Sequence, residues 1–239
     1  QEVGCFFDDA KIIREGEFVE NFSTDNQLIS AESVGAVNVY YQIISMARSP
    51  KALDSLEQLE QSGIRVLNPS VGVRACQRSN VDKVMRENYL PLPPDEGNDG
   101  YWVKRADTAA QSKEDVCFCH DWSEVEKIKS TFMQRGITDV VTQAHVKGDV
   151  VKFYGVEGTG FFRYYYSGDD TETKFGDEER NGKPQYYPFS SSNLQADAEK
   201  LACLLQTPIY GGDAIIQEDG SYIIIDFNDF PSFSRCREE

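Results

Sequence analysis

Apolar positions along this chain alternate between two periods, and the switches between them mark its elements. Val37 to Ser45 (VNVYYQIIS) reads as a strand rich in β-branched and aromatic residues. After Pro50, Leu53, Leu56 and Leu59 recur at helical spacing, Gly63 closes the helix, and IRVLNP follows as a buried strand. Strand, helix and strand predict a βαβ unit with a small parallel sheet, and ligands approach such units beyond the strand C-termini, where Asn68 and Pro69 fall. Upstream, VGCFF (3–7) and Glu17 to Phe22 read as short strands without recognisable chemistry.

A helix is expected from Arg74 to Asn88, with Ser79 and Asp82 as candidate caps near Lys83, and the proline-rich LPLPP stops it. A polar loop, Asp95 to Gly100, leads into the strand YWVK, which ends in Lys104. A second helix, His120 to Arg135, carries Val125, Ile128 and Phe132 on one stripe and ends at Gly136. Asp139 to Gln143 is a strand, and after a Lys147-Gly148-Asp149 turn the strand VVKFYGV pairs with Phe161 to Tyr166. Gly158 and Gly160 between those two strands read as a hairpin turn. Ser167 to Pro188 is polar and glycine-bearing, an expected mobile loop that reads equally as a lid or as an ordinary solvated loop. A helix from Gln195 to Leu205 ends before Pro208. The chain closes with GDAIIQEDGSYIIIDFNDFPSF (212–233), a hairpin turning at Glu218, Asp219 and Gly220.

Composition narrows the class. With 239 residues, 40% hydrophobic and 12% aromatic, the chain can bury a real core, as one large domain or two small lobes. A net charge of -16 argues against nucleic acid or an anionic membrane as partner, while leaving room for a local basic pocket. No apolar run approaches the ~20 residues of a membrane helix, and no signal peptide is visible. The six cysteines are scattered, which fits reduced thiols in a cytoplasmic protein. Cys117, Cys119 and His120 lack the paired spacing of zinc sites; strand alternation is expected to turn Cys119 away from its neighbours, so they read as structural.

Candidate chemistry concentrates in the last hairpin. Asp226 and Asn228 alternate onto one strand face, and the hairpin brings Asp213 close, so three oxygen donors gather at one end of the sheet. Magnesium takes such ligands and shares them with substrate phosphates, but the residues alone equally describe polar strand ends facing water. Lys83 and Lys104 could reach phosphates as flexible point charges, although each taken singly reads as a surface lysine. With His120 and His145 as the only histidines, histidine-based nucleophilic catalysis is disfavoured.

The order of these features, from Val37 to Phe233, resembles the ATP-grasp superfamily, in particular its glutamate-ligase-like, carboxylate-amine ligase branch. VLNPSVGVRACQRSNVDK resembles the segment leading to the first nucleotide lysine, Lys83, and YWVK the strand bearing the second, Lys104. VVTQAHVKGDVVKFYGV resembles the interlobe segment, where the backbone of Gln143, Ala144, His145 and Val146 would hold adenine and Lys152 would lie over the phosphates. The final hairpin resembles the metal strand pair, giving Asp213, Asp226 and Asn228 as ligands, and Arg163 matches a basic residue facing the transferring phosphoryl group.

The resemblance implies a mixed α/β and α+β fold: a partial N-terminal substrate lobe (1–72), a central lobe (73–143) and a C-terminal lobe with the metal site (144–239), the last two clamping ATP. It implies a ligase that joins a carboxylate to an amine through an acyl phosphate, with ATP and Mg2+ (Mn2+ as an alternative) and small-molecule or peptide substrates. Three departures stand out: Ala144 where members often have an acidic residue, Lys152 where the branch usually has Arg, and a short N-terminal lobe. Two other readings stay open: a small-molecule kinase of the inositol-phosphate type, with Arg48, Lys51, Arg65, Arg74 and Arg78 as its anion-binding candidates, and a nucleotide-binding scaffold without turnover.

Overall fold

Ser49 opens the first helix by accepting the Ala52 amide at 3.4 Å, and Pro50 follows where a missing N–H costs nothing. That helix, α1 (Pro50–Gln61), buries Ala52, Leu53, Leu56 and Leu59, and Gly63 turns the chain with φ +93°. On either side of it, β1 (Gln42–Ile44) and β2 (Arg65–Leu67) pair in parallel with Ile43 opposite Val66, so the expected βαβ unit is present. Asn68, expected where a ligand could approach, is fully buried instead. The structure is a computed structural model that describes residue 18 and residues 42–107, 112–167 and 180–236. The expected strand VGCFF and the first residues of Val37 to Ser45 lie outside the described residues; within Glu17 to Phe22 only Phe18 is described, and it is helical rather than extended. The chain divides into two compact units, Gln1–Val71 and Gly72–Glu239, and the remaining description concerns the second.

The helix expected from Arg74 to Asn88 is two helices. α2 (Ser70–Ala75) ends where Asn80 Nδ2 donates to the Ala75 carbonyl at 2.7 Å, and Gln77 is extended before α3 (Arg78–Glu87) begins. Ser79 and Asp82 do not cap α3: Ser79 Oγ donates to Asp139 Oδ2 at 2.7 Å, and Asp82 turns toward the site described below.

Beyond the proline stop, β3 (Tyr101–Arg105) runs between β4 (Val116–Cys119) and β5 (Val140–Ala144), antiparallel to both. Asp121 caps α4 (Trp122–Gln134) by accepting the Glu124 amide at 3.0 Å. Val125 and Phe132 of α4 pack on Val103, Cys119 and Ile137 to fill one side of this small sheet. By strand alternation the other side carries Phe118, Trp102 and Gln143 in register, with Lys104 two residues along.

The second sheet has the order β7-β6-β8-β9, formed by β6 (Asp149–Val156), β7 (Phe161–Tyr166), β8 (Ile209–Ile216) and β9 (Tyr222–Asp229), all antiparallel. α5 (Ser191–Leu205) starts earlier than its apolar periodicity suggests because Ser190 accepts the Asn193 amide at 3.3 Å. Its stripe Leu194, Ala198, Leu201, Ala202 and Leu205 packs on Val151, Phe153, Phe162, Ala214 and Phe227, and Val81 and Met85 of α3 join the same core. That leaves the opposite face of the sheet open for chemistry. Of the expected loop Ser167 to Pro188, residues 168–179 lie outside the described residues; its end is tied down where Asp149 accepts the amides of Gln185 at 2.7 Å and Tyr187 at 2.9 Å.

If this core positions the open face, Leu201→Ala should cost about 2–5 kcal/mol, whereas Leu204→Ala, one turn position away but 43% exposed, should stay within about 0.5 kcal/mol. Urea unfolding of both variants checks the contrast.

Candidate nucleotide and metal site

Strand register sorts the open face into rows. Tyr165, Lys152, Asp213 and Asp226 are successive Cα partners across the four strands, and Arg163, Tyr154, Gly211 and Asn228 form the next row. Lys152 Nζ donates to Asp213 Oδ1 at 3.1 Å. Asn228 Nδ2 donates to Asp226 Oδ2 at 3.2 Å, which leaves the Asn228 carbonyl oxygen to face a cation beside the two carboxylates. The register shifts between Asp213 and Ala214, so that Ile225 is an extra residue on β9. Such bulges re-aim their neighbours. Here the Ile225 carbonyl accepts from Lys104 Nζ at 3.1 Å, fixing a lysine that is only 4% exposed.

A third cation arrives from α3. Arg78 is its first residue, and Nη2 lies 3.4 Å from Asp226 Oδ1 while Nη1 donates to the Arg105 carbonyl. Burial disfavours the charged form of Asp226, but the Arg78 and Lys104 cations and the bonds from Asn228 and Arg78 outweigh it, so the carboxyl titrates below its ordinary range. Lys83 is not brought to this group. At 3.6 residues per turn it stands about 140° around α3 from Arg78, with its side chain 69% exposed and Glu87 at 3.9 Å. The face that does point inward carries Arg78, Val81, Asp82 and Met85, a spacing legible in the sequence once the start of α3 is known.

The cleft continues from Lys104 to Trp102, Gln143, Ala144, His145 and Val146, closed by Pro93, Ile215 and Ile225. Gln143 Nε2 donates to Asp82 Oδ1 at 2.9 Å, and Asp82 also accepts from Arg86 Nε at 2.6 Å. The Ala144 and His145 amides are engaged by the Pro94 and Gly100 carbonyls, at 2.9 and 2.8 Å. Trp102 Nε1 donates to His145 Nδ1 at 3.1 Å, an arrangement that requires the neutral ring. Burial, with smaller contributions from Arg180 and Lys147 against Asp99, holds the His145 pKa below its ordinary value.

Among the described residues, two buried polar atoms of residues lining this cleft have no hydrogen-bond partner: the acceptor Gln143 Oε1, midway along it, and the donor Arg78 Nε, beside Asp226. A ligand with a donor-bearing base and an anionic tail matches both. Among the described residues no group of three His, Cys, Asp or Glu side chains is placed to hold a metal ion. The donor set of Asp213, Asp226 and Asn228 fits a magnesium ion that completes its shell with phosphate oxygens, to which Lys152 and Arg78 would also turn. Cys117 and Cys119 share one strand face rather than pointing apart, because they are two residues apart; both pack toward α4 while the His120 ring stands against Phe118. Burial pushes the Cys119 thiol up to about 11, away from the thiolate that a metal needs.

No protein-family model matches the sequence, and no curated protein matches it. In overall structure it is similar to the D-alanine-D-alanine ligase of Coxiella burnetii, with a TM-score of 0.57 and 14% identity over 81% of this chain and 60% of that one. It is also similar to the ATP-grasp ligase PsnB, solved with minimal precursor, Mg and ADP, at TM-score 0.52 and 16% identity over 79% of this chain and 62% of that one. The chain has the ATP-grasp fold. The biotin carboxylase of Campylobacter jejuni, solved as a beta-gamma-ATP complex, shares this ATP-grasp architecture at TM-score 0.56 and 11% identity, over 82% of this chain and 50% of that one. The chain thus spans about half to two thirds of the length of these ATP-grasp structures. No helix among the described residues is long and apolar enough to cross a membrane.

The neutral state of His145 has a pH signature. Its folded pKa lies below the unfolded value of about 6.5, so the unfolded chain takes up the proton first. Stability present above about pH 6.5 is then lost as pH falls through the folded pKa. The urea midpoint of the native chain should fall more between pH 7 and pH 5 than that of His145→Gln; equal falls would contradict the assignment.

Proposed function

We propose that this chain is an ATP-dependent ligase that joins a carboxylate to an amine through an acyl phosphate, releasing ADP and phosphate, in the cytoplasm. The observation that carries this reading is the convergence of three cations, Arg78, Lys104 and Lys152, on the oxygen donors Asp213, Asp226 and Asn228 at one end of a cleft. In this reading residues 1–72 contribute to substrate binding, and residues 73–143 and 144–239 enclose the nucleotide between them. Adenine lies against the backbone of Gln143 to Val146, with the Gln143 side-chain oxygen as one acceptor. Ala144 offers no carboxylate there, so base recognition rests on backbone and Gln143.

Phosphoryl transfer needs alignment and charge neutralisation more than a protein nucleophile. Lys104, held by the Ile225 carbonyl, and Lys152 neutralise phosphate oxygens, and Arg78 takes the part expected of Lys83. Asp213, Asp226 and Asn228 would hold magnesium (manganese is an alternative), which when bound would offset negative charge on the nucleotide phosphates. Arg163 faces the group in flight. The substrate carboxylate oxygen bonds to the γ-phosphorus as the bond to the ADP oxygen breaks. The amine nitrogen then bonds to the carbonyl carbon, phosphate leaves with its bridging oxygen, and the nitrogen releases a proton to solvent.

Incubating the protein with ATP, magnesium, a panel of carboxylic acids and hydroxylamine tests the proposal. The ligase reading predicts ADP with a matching hydroxamate, and Lys104→Met should slow it by about 100-fold or more. An absence of both ADP and hydroxamate with every acid would sink the ligase reading, and ADP with a phosphate monoester when inositol phosphates replace the acids would favour a kinase.

A further inference from the structure

Arg78, Asp82 and Arg86 recur at four-residue spacing along α3, so one stripe of that helix carries alternating charge. Arg86 closes on Asp82: Nε donates to Oδ2 at 2.6 Å and Nη2 to Oδ1 at 3.3 Å. The same guanidinium reaches the polar loop after the proline stop, where Nη1 donates to Asp95 Oδ2 at 3.0 Å and Nη2 lies 2.7 Å from Oδ1. That loop packs on the cleft in turn. The Pro94 carbonyl accepts the Ala144 amide at 2.9 Å, and a Cβ on Gly97 would come within 2.8 Å of the Ala144 Cβ. Helix and loop therefore hold Arg86 from two sides.

A chain of fixed donors and acceptors starts there. A guanidinium only donates and a carboxylate only accepts, so Asp82 takes its bonds from Arg86 and has no hydrogen to pass on. Its Oδ1 also accepts from Gln143 Nε2 at 2.9 Å. The Gln143 amide must therefore turn its NH2 group to Asp82, and its oxygen is what it presents to the cleft. Gln143 is 6% exposed, its Oε1 has no partner among the described residues, and it lines the cleft both beside Asp226 and beside Trp102 and His145. A buried acceptor of this kind is costly until something donates to it. The neighbouring Ala144 and His145 amides already donate to the Pro94 and Gly100 carbonyls, so the side chain of Gln143 sets the polarity here.

We infer that Asp82, oriented by Arg86, is a positioning residue for base specificity: by fixing the Gln143 amide it makes the cleft select a base whose edge carries an exocyclic amine over one that carries an oxygen there. Asp82 acts through Gln143 and not on the ligand itself. The inference rests on the proposed nucleotide reading of the cleft, and adds that the preference is set one residue behind the contact. Asp82→Asn is the informative change. Arg86 Nε still needs an acceptor, so the new side-chain oxygen stays on Arg86 and the new NH2 group faces Gln143. Gln143 then turns its oxygen toward position 82 and offers its own NH2 to the base.

ADP and IDP, which exchange the exocyclic amine of the base for an oxygen, are the probes, titrated by calorimetry into the full chain with magnesium. The native chain should bind ADP about tenfold or more tightly than IDP. Asp82→Asn should bring the two within about twofold or reverse their order, and Gln143→Leu, with no amide to orient, should bring them within about twofold. A loss of packing alone would weaken both nucleotides and leave their ratio in place. Equal affinities in the native chain, or a native-sized ADP preference in either variant, overturns the inference and leaves the nucleotide reading standing. If one variant binds neither nucleotide, the ratio in the other decides. If the native chain binds neither, the inference falls together with the reading it rests on.

Discussion

Opposite charges placed side by side at strand spacing are the constraint on which the rest of this structure depends. Lys152, Asp213 and Asp226 are neighbours across β6, β8 and β9, and Arg78 completes the row from α3. Partly buried pairs of this kind gain little net stability, because desolvation offsets their attraction, while loss of one partner strands the other. Under the proposed function their arrangement is a pre-formed site, in which the cations would receive phosphate oxygens and the carboxylates a divalent ion. Lys104 follows the same logic, a buried ammonium fixed by a carbonyl that a bulge exposes. A strongly acidic chain thus gathers three cations, Arg78, Lys104 and Lys152, at one end of a cleft, and in the proposed reading they hold an anion there.

The row stays in place because the other side of the sheet is packed. Phe153, fully buried, lies between Phe162 and Phe227 at centroid distances of 6.0 and 6.5 Å, and α5 covers all three. A strand whose alternate side chains are locked in a core has no freedom to slip by one residue, since slippage would carry Lys152 and Asp213 to the wrong side. The single irregularity, the extra residue Ile225, falls where the site needs a carbonyl turned outward.

The final hairpin was legible in the sequence because period-two alternation fixes which residues share a face, and Asp226 and Asn228 do share one. Lys104 was legible as the end of an apolar strand, although not its burial. Lys83 misled because a helix face cannot be assigned without its starting residue. The break at Gln77, produced by the Asn80 side chain, sets the phase that turns Arg78 inward and Lys83 out. The placement of Cys117 and Cys119 on one face follows from the same alternation that served the hairpin, once β4 is recognised as a strand.

The central claim is that these charged residues form one magnesium-dependent nucleotide site. Its most direct test is the affinity of ADP, measured by calorimetry with and without magnesium, for the native chain, Asp226→Ala and Arg78→Gln. The account predicts binding that strengthens with magnesium in the native chain, loses that dependence in Asp226→Ala, and weakens in Arg78→Gln. ADP binding that is absent, or that is the same in all three proteins whether or not magnesium is added, would contradict it.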